Sequence, residues 1–160
     1  MSATRTLPRK RSSAANAVEE QLFGVWRLVS TEQRMVDGTS KPSRKFGPNG
    51  VGFLSYSRPN RMCATLADPS RSNWKSENDP TAEELRTTFD HFNAYCGTFE
   101  VNVQEGILVH HIEIGLVPNE TGESAKRHFQ FVDGMLKLRL APPLPKGMLE
   151  YTLTWARVTS

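Results

Sequence analysis

The stretch Val51-Gly52-Phe53-Leu54-Ser55-Tyr56-Ser57-Arg58-Pro59-Asn60-Arg61-Met62-Cys63-Ala64-Thr65-Leu66 reads as two short strands around a turn. β-Branched and aromatic residues favour a pleated, half-buried surface, and the Pro59-Asn60 pair punctuates it. The same rhythm recurs on both sides. Residues 25–36 are rich in such residues and end at Asp37-Gly38, a strong hairpin signal. Residues 98–104 turn at Glu105-Gly106 into 107–114, and 125–132 turn at Asp133-Gly134 into 135–140. Residues 148–158 form the last strand. The intervening segments 41–49, 68–79, 116–124 and 141–147 are polar or carry Pro and Gly, and read as loops. About eight to nine strands at short regular spacing make an all-β protein, an antiparallel sandwich or barrel.

Two helices interrupt the strands. The first is short, over 16–22, with Asn16 as N-cap, Glu19 three residues on, and Gly24 as its stop. The second spans about 80–96. Pro80 sits near its start, and Thr81 and Glu84 have capping-box spacing. Leu85, Phe89, Phe92 and Cys96 follow at i, i+4, i+7 and i+11 as one apolar face, and Gly97 closes it. That face suits a lid or plug on the sheet.

Length and charge bound the rest. The 160 residues suit one domain large enough to bury a core. No apolar run approaches the roughly 18–20 residues that span a bilayer. The net charge of +3 divides unevenly. Residues 1–18 hold Arg5, Arg9, Lys10 and Arg11 and no acid, which leaves 16 basic and 17 acidic residues in the remainder. The chain therefore divides into a flexible basic arm, 1–18, and a near-neutral domain, 19–160, with no electrostatic footprint for nucleic acid. Cys63 and Cys96 lack a C-x-x-C pattern and a signal peptide, and read as free thiols in a reducing, cytoplasmic setting. A disulfide between them has no support at this level.

Gly24-Val25-Trp26 opens the first strand and Trp155-Ala156-Arg157 closes the last. This resembles the lipocalins and their relatives, in which a G-x-W begins strand one and an Arg from the final strand packs over that Trp at the closed end. A longer resemblance runs through Gly50-Val51-Gly52-Phe53-Leu54-Ser55-Tyr56, Phe92-Asn93-Ala94-Tyr95-Cys96-Gly97-Thr98-Phe99, and His110-His111-Ile112-Glu113, then Pro118-Asn119, Gly122 and Arg127. In this order they resemble the small lipocalin-like domain proteins of bacteria and fungi, some of which act in secondary-metabolite pathways. The resemblance implies a single antiparallel lipocalin-like β-barrel with a ligand cavity.

Candidate chemistry centres on the 107–114 strand. His110 and His111 adjoin, so they point to opposite faces. Both faces mix apolar and polar groups. We expect His111 and Glu113 to face inward, where neighbours at i, i+2 can share a proton as a general acid/base pair. The competing reading is a hydrogen-bonded structural His and a solvated Glu. Arg127 suits an anionic or carbonyl group of a ligand, or a rim ion pair. Tyr95 offers a hydroxyl from the helix end. Phe53, Tyr56, Met62, Phe92 and His128 are assigned to the wall around a ligand, although each also reads as ordinary core or surface. A metal at His111, Glu113 and His128 is disfavoured, because two histidines on one face need H-x-H spacing and the chain has H-H. G-x-S-x-G, G-x-G-x-x-G and P-loop patterns are absent from the sequence.

The expected function is that of a cofactor-free isomerase or cyclase acting on a lipophilic small molecule of secondary-metabolite type, bound in the barrel. The alternative is a non-catalytic binding or carrier protein of the same fold. The expected partner is a lipophilic ligand, with no cofactor, metal, nucleic acid or membrane span; a homodimer is left open.

Overall fold

A computed structural model describes residues 13–159. The four cationic residues of the basic arm lie outside them. Helix α1 (Ser13–Glu20) leads into strands β1 (Gly24–Met35), β2 (Ser40–Lys41), β3 (Val51–Ser57) and β4 (Arg61–Ala67). Helix α2 (Ala82–Asp90) follows, then β5 (Phe92–Asn102), β6 (Ile107–Gly115), a 3₁₀ turn at Pro118–Glu120, β7 (Ser124–Val132), β8 (Met135–Leu140) and β9 (Met148–Arg157). Eight of these strands pair antiparallel in the order β1-β3-β4-β5-β6-β7-β8-β9, and β9 returns to β1. The sheet is thus a closed barrel. The two-residue β2 adds to β1 at Gln33 and Arg34.

Alternation fills the barrel. Gly52, Leu54 and Tyr56 of β3 face inward, as do Met62, Ala64 and Leu66 of β4 and Leu108, His110 and Ile112 of β6. A bulge between Leu28 and Ser30 switches the inward parity of β1 from Trp26 and Leu28 to Thr31 and Gln33. The lower barrel is consequently apolar, and polar side chains enter above it.

The lower end is closed by a compact plug. The Arg157 guanidinium lies 4.2 Å from the Trp26 ring centroid, as the family resemblance implies. It also donates to the Phe23 carbonyl at 2.8 Å and to the Gln21 carbonyl. Trp26 Nε1 donates to the Leu22 carbonyl at 2.9 Å. Gly24 makes this approach feasible: its φ is +129°, and a Cβ there would stand 2.6 Å from the guanidinium. Arg58 ties α1 to the same end through an ion pair with Glu20 and a stack 4.2 Å from the Phe23 ring centroid.

Two expectations are corrected. The second helix ends at Asp90, and Phe92 begins a strand. The capping box of Thr81 and Glu84 is present, but β5 pairs with β4 over seven residues, from Arg61↔Thr98 to Ala67↔Phe92. That ladder satisfies more backbone than one further helical turn, so tertiary pairing overrides the helical spacing. Leu85 and Phe89 consequently stay half exposed. Cys63 and Cys96, expected as free thiols, stand directly opposite in the same ladder and form a disulfide on the outer face.

Gly97 sits at a bulge in β5 where a Cβ would meet the His111 carbonyl oxygen at 1.8 Å. Gly97→Ala should therefore cost about 3 kcal/mol, the upper range of overpacking. Arg157→Ala should cost about 1–3 kcal/mol through lost cation–π and carbonyl contacts. Urea denaturation followed by tryptophan fluorescence measures both.

Candidate functional site

Above the apolar floor the barrel encloses a cavity of about 620 Å³. Its mouth is bordered by Arg44, Lys45, Asp90, His91 and Glu120. His91 Nδ1 bonds to the Lys45 carbonyl at 2.9 Å, fastening the end of α2 to the 42–50 loop.

His110 organises the interior. It points inward from β6 and is 1% exposed. Its Nε2 lies 2.7 Å from the Tyr56 hydroxyl on β3, and its Nδ1 lies 3.0 Å from the Tyr95 hydroxyl on β5. Burial pushes the imidazole down to about 3, with help from the Arg127 and His111 charges, so it is neutral at physiological pH. A neutral imidazole has one donor and one acceptor. Tyr56 is fully enclosed, whereas Tyr95 lines the cavity. The arrangement that strands no buried hydrogen has Tyr56 donating to Nε2 and Nδ1–H donating to Tyr95. The Tyr95 O–H is then free to donate into the cavity.

Burial raises both tyrosines above the ordinary phenol value, Tyr56 strongly; the Arg127 charge opposes this at both. Arg127 lines the cavity from β7. Tyr151 on β9 is likewise raised by burial, and its polar neighbours Ser43 and Gln33 and the Arg127 charge oppose that shift. The cavity thus presents Tyr95 and Arg127 as adjacent donors amid Leu54, Leu138 and Leu153.

The sequence-predicted residues divide sharply. Tyr95 and Arg127 line the cavity, and Tyr56 stands behind it as the partner of His110. Met62 is core beside them but is not part of the cavity wall. His111 and Glu113, expected inward, lie on the outer face of β6. His111 Nδ1 bonds to Ser124 Oγ at 2.8 Å, and its Nε2 is 3.4 Å from the Glu100 carboxylate. Glu113 accepts two bonds from Arg61 at 2.8 and 2.7 Å, which hold its carboxyl below the usual range. The reason is parity: Leu108 and Ile112 are buried with His110, and Ile114 is two-thirds exposed. Phe53 lies outside with Arg27 4.6 Å from its ring centroid. Phe92 is also off the cavity, with Arg71 stacked at 5.2 Å, and His128 lies in an outer groove beside Glu32 and Lys137.

Sequence reading passed over His110, Asn93, Gln33 and Trp155. His110 shares parity with Leu108 and Ile112, which is the one signal that favours it. Among the described residues, no cluster of three His, Cys, Asp or Glu side chains suits a metal, and no helix is long and apolar enough to cross a membrane.

Among solved structures, two point mutants of the fluorescent protein UnaG superpose with TM-scores of 0.42 at 14% and 13% identity, over 89% of this chain and 99% of theirs. A REP1-NXSQ fatty acid transporter superposes with a TM-score of 0.39 at 13% identity, over 88% of this chain and 98% of that one. No curated protein matches the sequence. The model of the lipocalin-like domain family matches residues 23–158, which takes in every barrel strand and the cavity. The chain belongs to the lipocalin-like domain family.

Proposed function

We propose that the protein binds a lipophilic small molecule in the barrel cavity, with a carbonyl or carboxylate oxygen against Tyr95 and Arg127, and isomerises or cyclises it without a cofactor. The observation that carries this reading is the pair of donors, Tyr95 and Arg127, set in one cavity with Leu54, Leu138 and Leu153 and backed by neutral His110. Donors fixed in a dry site act on developing negative charge more strongly than water does, and each is typically worth about 3–4 kcal/mol in the transition state. A closed chamber also folds a flexible substrate into a reactive conformer.

The chemistry is acid-sided. His110 has both nitrogens engaged and its value is near 3, so it does not take a proton from substrate at neutral pH. Tyr95 donates to the substrate oxygen, Arg127 stabilises the charge that develops there, and His110 holds Tyr95 in orientation. This replaces the His111–Glu113 pair as the working centre. The same blocked imidazole favours one second reading, a carrier that binds the ligand and leaves it unchanged.

Arg127→Leu should weaken binding of cis-parinaric acid by roughly 10- to 150-fold, the range for a charge-assisted hydrogen bond. It should weaken the methyl ester, whose carbonyl still accepts but carries no charge, by a smaller factor; fluorescence titration reads both. Equal loss for acid and ester would sink the polar-anchor reading. Deleting the gene should make a compound accumulate with the mass of the lost product, as chromatography with mass spectrometry reads. Tyr95→Phe should fail to restore that product while still binding the probe. Accumulation of nothing under conditions of expression would favour the carrier.

The pH dependence follows from His110. Its folded value of about 3 lies below the ordinary 6.5, so the unfolded chain binds the extra proton. Stability from this group is complete above pH 6.5 and declines as pH falls toward 3. The slope approaches about 1.4 kcal/mol per pH unit. His110→Gln keeps a donor and an acceptor for the two tyrosines and does not titrate. It should flatten the urea-measured stability curve from pH 6.5 down to about 4.5, above the carboxylate range.

A further inference from the structure

The bulge in β1 decides which polar side chains enter the barrel. Without it the even-numbered positions would continue inward from Trp26 and Leu28, and Glu32 and Arg34 would follow them. With it Thr31 and Gln33 enter instead, and both are buried. Thr31 is engaged, since its Oγ1 accepts from the Ser43 backbone N–H at 2.9 Å. Ser43 is engaged too: its Oγ accepts from the Lys45 backbone N–H at 3.2 Å. Gln33 is different. It is 8% exposed, lines the cavity and stands directly opposite Tyr151 in the β1–β9 ladder. A primary amide carries two donor hydrogens and an acceptor oxygen with two lone pairs, and one phenol hydroxyl cannot satisfy them all. The buried side-chain atoms shut off without a partner belong to Asn93, His111 and Trp155. The Gln33 amide and the Tyr151 hydroxyl are not among them, and neither completes a hydrogen bond of ordinary geometry among the described residues, so both open onto the cavity. The β1–β9 seam faces β5 across the barrel, which sets this pair on the wall opposite Tyr95.

We propose that Gln33 and Tyr151 form a second polar subsite that takes an alcohol hydroxyl, so that the ligand is a lipophilic molecule with a hydroxyl set apart from the carbonyl or carboxylate held by Tyr95 and Arg127. This rests on the cavity-binding reading above and adds a specificity determinant to it. The amide is neutral, and burial keeps Tyr151 as the neutral phenol, so the subsite suits an uncharged partner. An acceptor oxygen and donor hydrogens side by side match a hydroxyl, which both donates and accepts. A ketone answers only the donors and leaves the Gln33 oxygen unpaired, and a plain alkyl chain answers neither. A site built to hydrogen-bond a ligand hydroxyl selects against the analogue that lacks it.

The test uses dodecanoic acid and hydroxydodecanoic acids with the hydroxyl near the carboxyl, at mid-chain and near the far end, each beside the oxo-acid of the same position. Calorimetry measures binding, and the Gln33 side-chain amide is followed on ¹⁵N-labelled protein, assigned from the Gln33 backbone. The expected result is one hydroxy acid that binds roughly 2- to 12-fold tighter than dodecanoic acid, and tighter than its oxo counterpart. That acid displaces the Gln33 amide resonances further than dodecanoic acid does. In Gln33→Met and in Tyr151→Phe the preference for the hydroxyl shrinks. If dodecanoic acid binds and no hydroxy acid is preferred, or if the preference is undiminished in both variants, the second subsite is overturned and the cavity reading stands. A ketone that binds as well as the alcohol overturns the assignment to a hydroxyl. If none of the acids binds, the cavity reading falls and the subsite with it. The affinities and the amide resonances are read on the unaltered protein, so the outcome does not depend on how the variants fold.

Discussion

The return of β9 to β1 is the constraint on which the rest of the molecule depends. These strands are the first and last long elements of the described chain, and their pairing runs from Trp26↔Arg157 to Met35↔Met148. An open sheet of this size would expose two rows of unpaired backbone groups; closure removes both. The seam is pinned at one end by Arg157, which spans the Trp26 face and the carbonyls of Gln21 and Phe23. One cation thus closes the barrel, seals its floor and holds the segment that enters β1. The bulge in β1 then lets a single strand serve two zones, apolar beside the plug and polar beside the cavity.

The proposed function depends on how that polar zone is satisfied. An imidazole in an apolar barrel is destabilising unless both nitrogens find partners. Two hydroxyls from opposite sides provide them, so three strands are cross-linked through one ring. The neutral state is therefore built into the fold rather than tuned by a carboxylate. Two acids, Asp90 and Glu120, line the same cavity, and the Glu120 charge adds to burial in raising the Tyr95 phenol.

The barrel itself was legible. Turn signals at Asp37-Gly38, Glu105-Gly106 and Asp133-Gly134 marked the hairpins, and Trp26 and Arg157 announced their meeting from opposite ends of the chain. What was not legible depends on register. The 107–114 strand mixes polar and apolar groups on both faces, and the choice between His110 and His111 is made by Tyr56 and Tyr95, 54 and 15 residues away. The β4–β5 register likewise decides that Cys63 meets Cys96 and that Phe92 is strand rather than helix. Local spacing had favoured the helix. Tyr95 and Arg127 stand out in the sequence by their chemistry and both line the cavity, but Tyr95 reaches it from a strand rather than from a helix end.

The Cys63–Cys96 bridge has a topological consequence. It joins neighbouring strands, yet it encloses the longest excursion from the barrel, with the 68–80 loop and α2 inside a ring that spans 33 positions. A ring of that size restricts the unfolded chain by about 3–4 kcal/mol in the entropic picture. It also makes that excursion expendable as a connection. A peptide bond cut anywhere in the loop leaves β4 and β5 on one covalent thread, because the sulfur bridge takes over the continuity that the backbone has lost. The wall carrying Tyr95 is therefore held twice, once through the main chain and once around it.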